Sequence, residues 1–154
     1  MDKKIVVVGV DGSETSIEAL RDAAGFARMA NAELRIVSAW EYVAFQDVSG
    51  VFDPEREAEC SAQYAVQAVF GDTVPDWVSI VVELGRPGEA MVRASEKAVL
   101  LVVGSRGHNV ALRFLLGSTS TYCAVRAKCP VMIVHQNDRQ DTRGIWADVA
   151  TTAR

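Results

Sequence analysis

Histidine and cysteine are scarce in this 154-residue chain, which has only His108, His135, Cys60, Cys123 and Cys129. No two cysteines stand in a CxxC pair and any pairing leaves an odd thiol, so neither a disulfide framework nor a structural zinc site is signalled. Two histidines are too few for a histidine-rich metal centre. An excess of positive charge is missing as well. Sixteen basic against twenty acidic residues give a formal net charge of −4, with a pI near 5.2, which argues against broad attachment to nucleic acid or anionic lipid. The longest apolar run, Ala98 to Val103, has six residues, far below the roughly 20 that a membrane-spanning helix requires. Gly9 and Asp11 interrupt the opening apolar stretch before it reaches the length of a secretory signal. These absences predict a cytoplasmic protein with no nucleic-acid or membrane partner.

Several sequence signatures are missing too. Gly9-Val10-Asp11-Gly12-Ser13 has no lysine and is not a Walker A loop, and the first turn carries no GxGxxG. Gly104-Ser105-Arg106-Gly107 is not a GxSxG nucleophile elbow. No residue presents itself as a general base, so no catalytic residue is assigned.

What is present is an alternation of strand and helix patterns. Lys4 to Val10 is a β-branched run without polar alternation, as expected of a central parallel strand covered on both faces. Thr15 and Glu18 have capping-box spacing, and Ile17, Leu20, Ala24 and Ala27 recur at helical intervals to about Ala30. Leu34 to Trp40 is the second strand. Pro54 opens a helix through Phe70, and Val78 to Glu83 is the third strand. Pro87 and Gly88 start a helix to about Lys97, Val99 to Val103 is the fourth strand, and a helix from about Thr119 to Ala127 leads into the fifth, Val131 to His135. The expected fold is α/β: an open, Rossmann-like, five-stranded parallel sheet with helices on both faces. It occupies residues 1–135, and the polar segment 136–154 reads as a flexible tail.

Open parallel sheets bind ligands beyond the carboxyl ends of their strands, where the strand order reverses. Gly9, Val10, Asp11, Gly12 and Ser13 follow strand one. Gly104, Ser105, Arg106, Gly107 and His108 follow strand four, and Gly117, Ser118, Thr119 and Ser120 start the last helix. Glycines let backbone N–H groups approach an anion, and a helix start adds unpaired donors and a positive dipole end. The combination describes a phosphate cradle, in which a methyl group at Gly107 or Gly117 is expected to intrude where backbone meets phosphate. Each residue also has a plainer use: Asp11 as an Asx turn with Ser13, the glycines as tight turns, Ser118 as an ordinary N-cap.

The spacing Gly104-x2-Gly107-x9-Gly117-Ser118, with Val8-Gly9-Val10-Asp11-Gly12-Ser13 and Cys129-Pro130-Val131, resembles the universal stress protein family over residues 3–135, in its ATP-binding subgroup. The resemblance implies a strand order of 3-2-1-4-5 and a homodimer. It places Gly104 and Gly107 along ribose and phosphates, and Gly117, Ser118 and Thr119 at the phosphates. Asp11 falls near the ribose and any Mg²⁺, with Gly9 and Val10 beside it, and backbone at Ala39 and Val103 meets the adenine. Ser105 and Ser120 fall within the same segments. Arg106, His108 and Arg113 are added from charge and position. Trp40, Tyr42 and Phe45 either shelter the adenine or close the core.

Three functions are compatible with these residues. The first is a regulatory, stress-response module that holds ATP as a homodimer, pairs through its last strand at 131–135, and answers to an unidentified regulatory protein. The second is a slow ATPase or related adenine-nucleotide hydrolase, with Asp11 placing Mg²⁺ and Arg106 or His108 stabilising charge. The third is a nucleotide-free dimeric scaffold whose glycines are structural.

Overall fold

Successive valines of the first strand point to opposite sides of a sheet, which is why an unbroken β-branched run needs cover on both faces. The computed structural model describes residues 2–42, 50, 52–106 and 115–136. Its elements are β1 (Ile5–Gly9), α1 (Glu14–Ala30), β2 (Glu33–Trp40), α2 (Pro54–Phe70), β3 (Val78–Leu84), α3 (Pro87–Ala94), β4 (Leu100–Gly104), α4 (Ser118–Arg126) and β5 (Val131–Val134). The sheet order is β3-β2-β1-β4-β5, and every pairing is parallel. Val6, Val8, Leu34, Ile36 and Val102 pack on one face with α1 and α2. Val7, Val37, Leu101 and Val103 pack on the other with Ala90 and Met91 of α3 and Cys123 of α4. Each fully buried valine or leucine contributes about 1.5–3 kcal/mol of transfer free energy, so the central strands are the most firmly held.

Helix boundaries follow the chemistry of their caps. At α1 the N-cap is Ser13, whose side chain accepts a hydrogen bond from Ser16 N. This corrects the capping-box reading at Thr15, a buried first-turn residue. Asp53 caps α2 by accepting from Arg56 N, with Pro54 directly after it. α3 stops at Ala94, short of Lys97: Ala98 N turns back to Ser95 O at 3.0 Å and prepares the entry into β4. At α4 the N-cap is Gly117, not Ser118, and among the described residues no side chain caps that helix.

The sheet's two edges differ. At the β3 edge, Arg93 donates to Leu84 O at 2.9 Å and lies 3.5 Å from a Glu83 carboxylate oxygen. Among the described residues β5 pairs with β4 alone. No helix among the described residues is long and apolar enough to cross a membrane.

Candidate functional site

The chain runs from β1 outward to β3 and then crosses back to β4, so the order reverses between β1 and β4. A cavity of about 110 Å³ opens there, at the carboxyl ends of the strands. The strand ends contribute Gly9, Val10, Asp11, Ala39, Val103 and Gly104 to its wall. Arg106 and Thr119 come from the segment after β4 and the first turn of α4. Eight residues expected at the site are thereby brought together by three strands and one helix. Motif reasoning missed Ser16, Pro87 and Met91, which also line the cavity. For Pro87 and Met91 the only sequence signal was their place on the helix after β3.

Asp11 makes the Asx turn and borders the cavity. Its Oδ1 accepts from Ser13 N at 3.0 Å and from Ser13 Oγ, which is the Asx turn, yet the residue also stands on the cavity wall. Ser16 Oγ donates to Ser13 O at 2.9 Å and accepts from Asp11 N at 3.3 Å. Gly12 at the centre of this turn has φ +79°, a conformation glycine adopts without strain. The network fixes the direction in which the carboxylate leaves the turn.

The glycines at the site are closely packed. A Cβ on Gly9 would lie 2.7 Å from Met91 Sδ, and one on Gly104 would lie 2.9 Å from Thr15 Cγ2. At Gly117 a Cβ would meet Ser105 O at 3.3 Å and Arg106 Cα at 3.5 Å. Apart from the phosphate clash expected from sequence, a Gly117 methyl would press on the Ser105–Arg106 backbone, because Gly117 N is itself bonded to Ser105 O at 2.7 Å. Ser120 Oγ donates to Ser105 O at 3.2 Å and to Gly117 O at 3.0 Å, which ties the start of α4 to the end of β4. Ser105 is buried, and its hydroxyl has no hydrogen-bond partner among the described residues.

Ser118 faces an adjoining cavity that shares Pro87 and Thr119 with the first. Trp40 and Tyr42 pack edge to face with ring centroids 4.9 Å apart, and neither lines the cavity at the strand ends. Gly107, His108 and Arg113 lie outside the described residues, as do Phe45 and positions 137–154. His135 is exposed. Cys123 is fully buried. Burial, reinforced by Cys129, pushes its thiol up to about 11, so it keeps its proton at neutral pH and fills core rather than acting as a nucleophile. Among the described residues no group of three or more His, Cys, Asp or Glu side chains converges to hold a metal by itself.

Residues 3–135 match the model of the Universal stress protein family. Universal stress protein Rv2005c of Mycobacterium tuberculosis is 35% identical over 145 residues, covering 86% of this chain and 48% of that protein. Universal stress protein Rv2623 of the same organism is 30% identical over 140 residues, covering 86% and 45%. The chain thus spans about half the length of the curated relatives it matches. A crystal structure of a universal stress protein in complex with cAMP is 33% identical, with a TM-score of 0.58, over 89% of this chain and 100% of that one. A universal stress protein from Archaeoglobus fulgidus in complex with dAMP is 21% identical, with a TM-score of 0.63, over 86% and 98%, and bears on the fold alone.

Proposed function

Because the chain belongs to the universal stress protein family, we propose that it is a cytoplasmic, ATP-binding regulatory module that acts as a homodimer in a stress response. The observation that carries this reading is the cavity at the switch point, where Gly9, Val10, Asp11, Ala39, Val103 and Gly104 converge from three strands. Its apolar wall suits a flat base, and its backbone-rich floor suits a ligand recognised without excess positive charge. Adenine lies against Ala39 and Val103, and ribose and phosphates run past Gly104 and Gly107 toward Gly117, Ser118 and Thr119. Arg106, on the cavity wall, supplies the countercharge, and His108 and Arg113 extend it. Among the described residues the start of α4 has no side-chain cap, which leaves its first N–H groups for the phosphates. Ser105 and Ser120 hold that start in place.

Mg²⁺ fits in a shared role. Asp11 is a single carboxylate whose direction is set by Ser13, and Mg²⁺ is commonly held by one or two carboxylates with substrate phosphates supplying further ligands. The ion, when bound, neutralises phosphate charge. A cAMP complex of a relative 33% identical supports an adenine nucleotide as the ligand class.

Mass spectrometry of the small molecule released from freshly purified protein, followed by calorimetric titration with ATP, tests the proposal. One ATP per chain is expected. Asp11→Ala is expected to weaken Mg·ATP about tenfold, the worth of one charge-assisted contact, and to alter binding much less in EDTA. No released nucleotide and no binding heat at millimolar ATP would overturn the reading in favour of a scaffold. Sustained ATP turnover lost in Asp11→Ala would replace it with the hydrolase reading.

A further inference from the structure

Met91 is 2% exposed, yet it lines the cavity at the strand ends. It comes from α3, which carries no residue of the glycine motif. Its side chain rests on the backbone of Gly9: a Cβ there would lie 2.7 Å from Sδ, 3.4 Å from Cγ and 3.7 Å from Cε. The missing side chain at Gly9 is thus occupied by a thioether that forms part of the cavity wall. Val10, Ala39 and Val103 supply the other apolar wall residues contributed by the strand ends. These side chains offer no hydrogen bonds, so they recognise shape and an aromatic face. A polarizable sulfur is suited to contact with an aromatic ring.

We propose that Met91 is a specificity-determining residue: its thioether, seated on Gly9, is the wall that bounds the base and limits its size. This rests on the nucleotide reading above and deepens it by naming the group that selects the ligand's base. Gly9 and Met91 act as a pair. The glycine lets the thioether settle against β1, and a bulkier residue at position 9 would drive the thioether toward the ligand.

The test compares wild type, Met91→Ala, Met91→Leu and Gly9→Ala in calorimetric titrations with ATP, with ATP analogues enlarged at N6, C2 or C8 of the adenine, and with tripolyphosphate. Wild type is expected to bind ATP and to bind the enlarged analogues at least about tenfold more weakly, the scale at which a few misplaced atoms in an apolar pocket discriminate. Met91→Ala is expected to bind at least one enlarged analogue about tenfold or more tighter than wild type does, with Met91→Leu keeping the wild-type ranking. Gly9→Ala, which acts in the opposite direction, is expected to lose about tenfold in ATP affinity while tripolyphosphate binding stays unchanged. An unaltered analogue ranking in folded Met91→Ala overturns the proposal. If that variant fails to fold, unchanged ATP affinity in Gly9→Ala overturns it instead. A wild type that binds no ATP overturns the nucleotide reading itself, and Met91's role with it.

Discussion

Gly104 meets two demands at one position. It lines the cavity, and it allows the end of β4 to approach α1, because a Cβ would lie 2.9 Å from Thr15 Cγ2 and 3.3 Å from the Thr15 carbonyl carbon and oxygen. Only the first contact involves a side chain, so the backbone would also have to move. Gly104→Ala is expected to cost about 1–3 kcal/mol of stability, the range for overpacking a close-packed site. Thr15→Ser in the same chain is expected to restore about 0.5 kcal/mol or more by removing the methyl, a coupling that a double-mutant cycle in urea denaturation measures. Gly104, read from sequence as cradle chemistry, also serves as a spacer between strand and helix. Sequence spacing located the glycine, but its neighbour Thr15 lies 89 positions away (104 − 15) and becomes a neighbour only through the β1–β4 pairing.

At the scale of elements, the two helices that start at the site begin differently. α1 has a serine N-cap whose side chain accepts from Ser16 N, and the same hydroxyl donates to Asp11. α4 starts at Gly117 with no side-chain cap among the described residues. Ser13→Ala is therefore expected to cost about 1 kcal/mol, the usual worth of a cap, whereas Ser118→Ala is expected to stay within about 0.5 kcal/mol of wild type. Thermal unfolding of the two variants, compared at their melting temperatures, reads the difference; equal losses would contradict the cap assignment. The capped helix fixes Asp11, while the start of α4 carries no such cap among the described residues. Capping-box spacing pointed to Thr15 because the rule sees residue types and intervals. The choice of Ser13 depends on where β1 releases the chain, and Gly12 at φ +79° sets that turn.

For the whole molecule, the proposed homodimer rests on the difference between its sheet edges. β3 has Arg93 bonded to its last carbonyl, whereas among the described residues β5 pairs with β4 alone, and free apolar edges are normally covered or paired. Leu101 N bonds to Pro130 O at 2.9 Å and Ser105 N to Val134 O at 2.7 Å. In a parallel ladder the even-numbered positions of β5 therefore face β4, and Ile133 turns its N–H outward. Ile133→Pro removes an outward donor without breaking the β4 ladder. It is expected to shift the protein from dimer to monomer in light scattering at micromolar concentration while the circular dichroism of the fold is kept. A monomeric wild type would refute the dimer directly. Gln136, the last described residue, donates to Glu14 at 2.8 Å, so the chain leaves β5 beside the start of α1.

The sequence by itself determined the class of fold, the five strands and four helices, and the two glycine-bearing strand ends that border the cavity. Each of these is written in local periodicity or in turn chemistry that spans a few residues. Tertiary structure decided what the glycines pack against and which further residues share the wall. Met91 reaches the cavity from α3 because α3 packs over β1, and Ser16 reaches it because Ser13, not Thr15, begins α1. No interval along the chain encodes those meetings. They follow from a parallel sheet bringing β1 and β4 side by side and from helices packed close enough that one methyl group decides what fits.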